Sequence, residues 1–211
     1  MRVKFCGITN LDDAAEAVLL GAWAVGLIHF DGSPRCVEPG AAAEIGAAFR
    51  RKLEVIGVFV NPTLEEVDRA VENAKLTMVQ LNGAEGVQFC AEVARRTGLK
   101  VIKAIHVASA ADIHAAEAYR TDFHLFDRRG KGLWGGTGES FDWELLRGHR
   151  SDVPDILAGG LRPDNVAAAI AVTQPFAVDV ASGVELEPGR KDHAAMAAFF
   201  EAAQPSGVTA P

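Results

Sequence analysis

Eight short apolar runs of strand type alternate along this chain with eight helix-like stretches, at a spacing of roughly 25 residues. That repeat admits few folds. Strands buried on both faces beneath helices pair in parallel. Eight such units suit a closed (β/α)8 barrel better than a doubly wound sheet, which more often has five or six strands and a glycine-rich first turn. The first turn here, Cys6-Gly7-Ile8-Thr9, lacks that fingerprint. The expected strands are Arg2–Cys6, Ala24–Phe30, Glu54–Val60, Met78–Leu81, Val101–Ile105, Asp122–Phe126, Asp155–Ala158 and Ala177–Val180. The expected helices are Leu11–Gly21, Gly40–Arg51, Leu64–Ala74, Glu85–Thr97, Ala108–Ala118, Asp142–Gly148, Pro163–Val172 and Lys191–Ala203. Asn10, Thr63 and Asp142 stand where helix starts need caps, and Gly21 and Gly98 where helices should stop. The fold class is therefore α/β: a single-domain TIM barrel over residues 1–203, with a loose tail over 204–211.

A chain of 211 residues with 49% hydrophobic content can bury the core such a barrel needs. Its net charge of −7 gives no basic stripe for nucleic acid or an anionic membrane surface. Three cysteines (Cys6, Cys36, Cys90) cannot all pair and form no CxxC, which points to a reducing, cytoplasmic setting. The N-terminus reads as a strand rather than a signal peptide, and no apolar run approaches the ~20 residues of a membrane span. The six histidines show no HxxxH or HxH spacing, so no metal site is expected. No obligate protein partner is evident.

The chemistry gathers at strand ends. Ile156-Leu157-Ala158 runs into Gly159-Gly160, and Ala177-Val178-Asp179-Val180 into Ala181-Ser182-Gly183. Each junction precedes an expected helix. Glycine lets backbone approach a ligand, and a helix start offers N–H groups and partial positive charge. Two such junctions after strands 7 and 8 form the phosphate grip of many (β/α)8 barrels. Cys6 ends strand 1 and shares a face with Lys4, whose amine should favour the thiolate; the plain alternative is a buried small apolar side chain. Cys36 and Cys90 fit that alternative. Asp127 ends strand 6, where burial could raise its pKa as a general acid requires, or it could merely start a loop. Asp142 reads as a helix cap. Asp179 either orients substrate or pairs with Lys4 or Arg35. Arg35, in the long strand-2 junction, has the planar fork that suits a carboxylate, or is a surface arginine. The other long junction, Asp127–Ser140, reads as a lid. Its Gly130-x-Gly132-x-x-Gly135 matches a dinucleotide motif in form only, being too far into the chain and too long before its helix.

Together these residues resemble the phosphoribosylanthranilate isomerase family almost end to end. Lys4-Phe5-Cys6-Gly7-Ile8-Thr9, Ser33-Pro34-Arg35, Gly57-Val58-Phe59-Val60-Asn61 and Gln80-Leu81 fall in family order. So do Asp127, Gly135-Gly136-Thr137-Gly138, Phe141-Asp142-Trp143, Ala158-Gly159-Gly160-Leu161, Asp179 to Glu185 and Gly189-Arg190-Lys191-Asp192. The resemblance implies a cofactor-free Amadori rearrangement of a small phosphoribosyl substrate in tryptophan biosynthesis. Asp127 would be general acid and Cys6 general base. Arg35 would hold the anthranilate carboxylate, and Gly159, Gly160, Ser182 and Gly183 the phosphate, with Lys4 and Asp179 among the binding groups. Two positions depart from the family pattern: Asn82, where histidine is frequent, and Ala181, where serine is usual. The related histidine-pathway isomerases, or one serving both pathways, use an aspartate where this chain has Cys6. A non-catalytic phosphosugar-binding barrel would need neither Cys6 nor Asp127.

Overall fold

The computed structural model describes residues 1–128, 142–147, 149 and 151–204. Eight parallel strands close into a barrel in chain order: β1 (Arg2–Cys6), β2 (Ala24–Ile28), β3 (Glu54–Phe59), β4 (Met78–Leu81), β5 (Lys100–Val107), β6 (Phe123–Arg128), β7 (Asp155–Leu157) and β8 (Ala177–Val180). Closure is made by β1, which pairs with β2 on one edge and β8 on the other, so that Lys4 lies opposite both Ala24 and Asp179. Seven α-helices among the described residues cover the outside: α1 (Leu11–Leu19), α2 (Pro39–Phe49), α3 (Leu64–Ala74), α4 (Val87–Thr97), α5 (Ala110–Ala116), α6 (Val166–Thr173) and α7 (His193–Ala203).

Alternation along the strands sorts side chains into two cores. Ala24, Ile56, Met78, Ile102, Leu125 and Ile156 point inward and fill the barrel. Val3, Phe5, Val55, Val79, Phe126 and Val178 point outward, against Ala14 and Ala17 of α1, Val67 of α3, Val93 of α4 and Phe199 of α7. The expected face assignment of strand 1 is what the packing shows: Val3 and Phe5 outside, Lys4 and Cys6 inside. Caps also fall where expected. The Asn10 side chain accepts from Asp13 N, and Thr63 and Glu66 form a reciprocal capping box. Asp142 accepts from Glu144 N, and Gly98 closes α4 in the left-handed region.

The departures are local. Strands β5 and β6 run further than their apolar runs, because His106 pairs with Asp127 and Val107 with Arg128 in register. The expected sixth helix is a 3-10 turn, Trp143–Leu146. Helix α6 begins only at Val166, after a turn in which the Asn165 side chain accepts from Arg162 N. Lys191 is not helical. It belongs to a two-stranded hairpin, β9 (Glu185–Glu187) with β10 (Arg190–Lys191), inserted between β8 and α7. Gln204, assigned to the tail, is tied to the N-terminal amine at 2.8 Å. The rest of the tail, most of the strand-6 junction and its glycine motif lie outside the described residues.

Candidate active site

Inward-facing residues at the C-terminal ends of the strands build the site. Lys4 has no exposed surface, and its amine donates to Asp179 Oδ1 at 2.8 Å. It shares its place with the thiol of Cys6. A Cβ on Gly26 would stand 2.8 Å from Cys6 Sγ and 3.1 Å from Lys4 Nζ. Of the two partners expected for Asp179, Lys4 is the one it takes, and burial of the amine makes it a support for Asp179 and Cys6. Burial pulls the Lys4 pKa down, but the charges of Asp179 and Cys6 lift it further, and the net shift is upward. The amine is therefore a fixed cation.

That cation does not win at Cys6. Burial pushes the thiol up, Lys4 and Lys191 pull it down, Asp179 pushes it up again, and the balance lies above the ordinary thiol value. The expectation that Lys4 leaves a thiolate is corrected: its sign is right, and desolvation outweighs it. Cys36 is a half-buried loop thiol and Cys90 is buried in α4, as the plain reading has it.

Asp127 lies within β6, and burial raises its pKa to about 6 against the pull of His106, of the Arg128 N–H and of Lys4, with Asp179 adding to the rise. The Arg128 N–H donates to its Oδ1 at 2.7 Å, which fixes the carboxyl. Gly159, at φ +86°, makes room for it, since a Cβ there would stand 2.9 Å from Asp127 Oδ1. His106 was missed in the sequence because no metal spacing marked it. The strand register sets it beside Asp127, and its Nε2 bonds the Asn82 carbonyl at 2.8 Å. An imidazole thus stands next to the position where the family pattern has histidine.

Arg35 is gripped from behind. Its Nε donates to both Glu185 oxygens at 2.9 and 3.0 Å, and its Nη2 donates to Glu185 Oε2 at 2.7 Å. Nη1 takes no part in this fork. Glu185 also accepts from Lys191 Nζ at 2.8 Å. The Lys191 amine is buried and donates further to the carbonyls of Cys6 (2.6 Å) and Ala181 (3.1 Å). Both residues fall in stretches that carry the family resemblance, but nothing in the sequence shows that they pair across the hairpin.

The two glycine junctions meet. Gly159 and Gly160 both adopt positive φ, and Gly183 sits so close to the other loop that a Cβ would fall 2.0 Å from the Leu161 carbonyl oxygen. Ser182 opens a 3-10 turn, Ser182–Val184. Among the described residues none accepts from the N–H groups of Gly160, Ser182 or Gly183. The helix-start part of the expectation needs correction at both junctions: α6 begins six residues beyond Gly160, and after Gly183 a three-residue 3-10 turn and the hairpin precede α7. The donors there are loop amides rather than a helix terminus. Among the described residues, no group of three His, Cys, Asp or Glu could hold a metal ion, and no helix is long and apolar enough to cross a membrane.

Known proteins resemble this chain in sequence and fold. Residues 3–202 match the family described as N-(5'phosphoribosyl)anthranilate (PRA) isomerase. An N-(5'-phosphoribosyl)anthranilate isomerase of Citrifermentans bemidjiense is 45% identical over 191 residues, covering 90% of this chain and 91% of that protein. The crystal structure of phosphoribosyl anthranilate isomerase from Thermotoga maritima superposes with a TM-score of 0.89 at 40% identity, covering 96% of this chain and 98% of that one. Another solved phosphoribosyl anthranilate isomerase, at TM-score 0.85 and 39% identity with 96% and 98% covered, is in complex with reduced 1-(o-carboxyphenylamino)-1-deoxyribulose 5-phosphate. A closed barrel whose β1, β6 and β8 ends hold a thiol, a high-pKa carboxyl and free loop amides, matched over nearly its whole length, belongs to the N-(5'-phosphoribosyl)anthranilate isomerase family.

Proposed function

We propose that this site isomerises N-(5-phosphoribosyl)anthranilate to 1-(2-carboxyphenylamino)-1-deoxyribulose 5-phosphate in tryptophan biosynthesis, with Asp127 as general acid and Cys6 as general base. Asp127 gives its proton to the ribose ring oxygen as the C1–O bond breaks, leaving a protonated Schiff base. Cys6 as thiolate removes the C2 proton to give an enolamine, which tautomerises to the ketone. C1 is reduced as C2 is oxidised, so the rearrangement needs no external electron acceptor. Arg35 offers Nη1 to the anthranilate carboxylate. The amides of Gly160, Ser182 and Gly183 hold the phosphate, and Gly159 gives Asp127 its room. Lys4 and Asp179 sit beneath, holding Cys6 in a fixed field. Three unpaired cysteines suit a reducing, cytoplasmic setting.

The observation that carries this reading is the pair of inward-facing groups, Cys6 on β1 and Asp127 on β6, each with a pKa displaced by burial. An aspartate in place of Cys6 would point to the histidine-pathway reaction instead. The test is turnover of phosphoribosylanthranilate generated in situ. Cys6→Ala and Asp127→Asn should each lower kcat by roughly 10²-fold or more, the scale of general acid–base catalysis. Cys6→Ser should fare little better, its hydroxyl being a far poorer proton acceptor near neutrality. Near-full activity in Cys6→Ala with the barrel intact by circular dichroism would overturn the assignment.

A further inference from the structure

The hairpin between β8 and α7 places one buried ion pair against three working parts of the site. Lys191 and Glu185 are register partners across β10 and β9, with 2.8 Å between Nζ and Oε1, and side-chain exposures of 0% and 4%. From that pair the Lys191 amine reaches the carbonyl of Cys6, the base, and the carbonyl of Ala181, which precedes the phosphate amides. From the same pair the Glu185 carboxylate takes two edges of the Arg35 fork. Every strong contact of both groups is made within the protein, and each ends on a residue next to, or at, a proposed substrate contact. An ion pair buried this fully costs desolvation that well-packed apolar side chains would avoid, so its stability alone does not explain it.

We infer that Glu185 and Lys191 are positioning residues for the isomerisation, Glu185 aiming the Arg35 fork at the substrate carboxylate and Lys191 holding the ends of β1 and β8 at a fixed separation. The inference rests on Arg35 as the carboxylate clamp and Cys6 as the base. Glu185 takes the Nε/Nη2 edge, so the Nη1 end of the guanidinium remains to meet a ligand, and the group cannot turn without breaking three bonds. Lys191 also adds positive charge at the thiol. The charged groups facing Cys6 are Lys4 on β1, Asp179 on β8 and Lys191 on β10, and the two lysines oppose the burial that keeps the thiol protonated.

The test is a double-mutant cycle read in KM together with a thiol titration. Arg35→Ala should raise KM at least about tenfold with a smaller change in kcat, since it removes a charge-assisted contact to a group that does not react. Glu185→Gln should raise KM in the same way, and the Glu185→Gln/Arg35→Ala enzyme should be no worse in KM than Arg35→Ala alone, because Glu185 acts through Arg35. Lys191→Met should move the Cys6 titration, followed by the pH dependence of alkylation at that peptide, upward by about one unit; Lys191→Arg should return it most of the way. Where Lys191→Met fails to fold with Arg35 left as the charged partner of Glu185, Glu185→Met/Lys191→Met removes both charges of the pair and should fold with the raised KM and the shifted thiol. Wild-type KM in Arg35→Ala would overturn the clamp itself, and the action of Glu185 with it. A raised KM there, with effects that multiply in the double mutant, would overturn only the coupling. An unmoved Cys6 titration in Lys191→Met, or in the double Met variant, would overturn the role of Lys191.

Discussion

Burial displaces the proposed base Cys6 away from the charge state its chemistry needs and the proposed acid Asp127 toward it, though only part of the way. The base must be a thiolate, yet burial holds Cys6 above the ordinary thiol value of about 8.5. The acid must be protonated, and burial lifts Asp127 only to about 6, so its protonated fraction falls as pH rises past that value. Between those values the thiolate fraction rises tenfold per pH unit while the protonated carboxyl falls tenfold, so their product is constant. The dependence of kcat/KM on pH should therefore rise to a knee near 6, stay flat, and fall beyond a knee above about 8.5. The lower knee belongs to the acid and the upper to the base, opposite to the usual assignment. A carbon-13 titration of the Asp127 carboxyl with its inflection at the lower knee would confirm this; an inflection at the upper knee would refute it. The sequence shows both residues because position at a strand end is visible in a strand pattern. It gives no role to Glu185, Lys191 or His106, whose contacts with Arg35, Cys6 and Asn82 join elements far apart in the chain. It misjudges Cys6 because the pattern places Lys4 beside the thiol and says nothing of how deeply both are buried.

At the scale of elements, the proposed phosphate grip depends on two loops lying almost in van der Waals overlap. A Cβ at Gly183 would meet the Leu161 carbonyl oxygen at 2.0 Å and its carbon at 3.0 Å, both backbone atoms that cannot turn aside. Gly183→Ala must therefore spread the loops after β7 and β8. Overpacking of this kind costs about 1–3 kcal/mol, and it also separates amides that the phosphate needs together. Inorganic phosphate, used as a competitive inhibitor, should bind Gly183→Ala roughly tenfold more weakly, for a loss near 1.4 kcal/mol. Gly40→Ala is the control, since a Cβ there meets nothing within 4 Å. Unchanged phosphate inhibition in Gly183→Ala would show that the two loops do not act as one grip. The elements themselves were legible where an apolar run is the whole signal, as in β1, β4, β8 and α3, whose bounds agree with the pattern. Strands β5 and β6 outran theirs because register pairing carries His106, Asp127 and Arg128 into the ladder. The β9–β10 hairpin was unreadable, since its Glu-Leu-Glu and Arg-Lys stretches have no apolar period and form by pairing with each other.

At the scale of the molecule, the barrel interior and its helix layer are mainly apolar, while the mouth holds the Lys4, Asp179, Lys191 and Glu185 charges out of water. Lys4 with Asp179 and Lys191 with Glu185 are satisfied as pairs. Asp127 is different, because its carboxylate form is opposed by burial and its folded pKa stands above the unfolded value of about 3.9. The sign of the linkage follows. The folded state binds the Asp127 proton more tightly than the unfolded chain, so the resulting stability is complete below about pH 4 and is lost as pH rises to about 6. At neutral pH the wild type therefore carries an ionised carboxyl in a site that disfavours it. A shift of about two units sets the burden at no more than roughly 3 kcal/mol. Asp127→Asn, nearly the same shape without the charge, should remove most of it. Asp127→Asn should melt several degrees above wild type at pH 8 and close to it at pH 4, the difference growing between pH 4 and 6. Thermal melts of both proteins across that range would decide the matter. A variant less stable than wild type at pH 8 would mean that the carboxylate is held by partners strong enough to repay its burial, and that the general acid is not under strain.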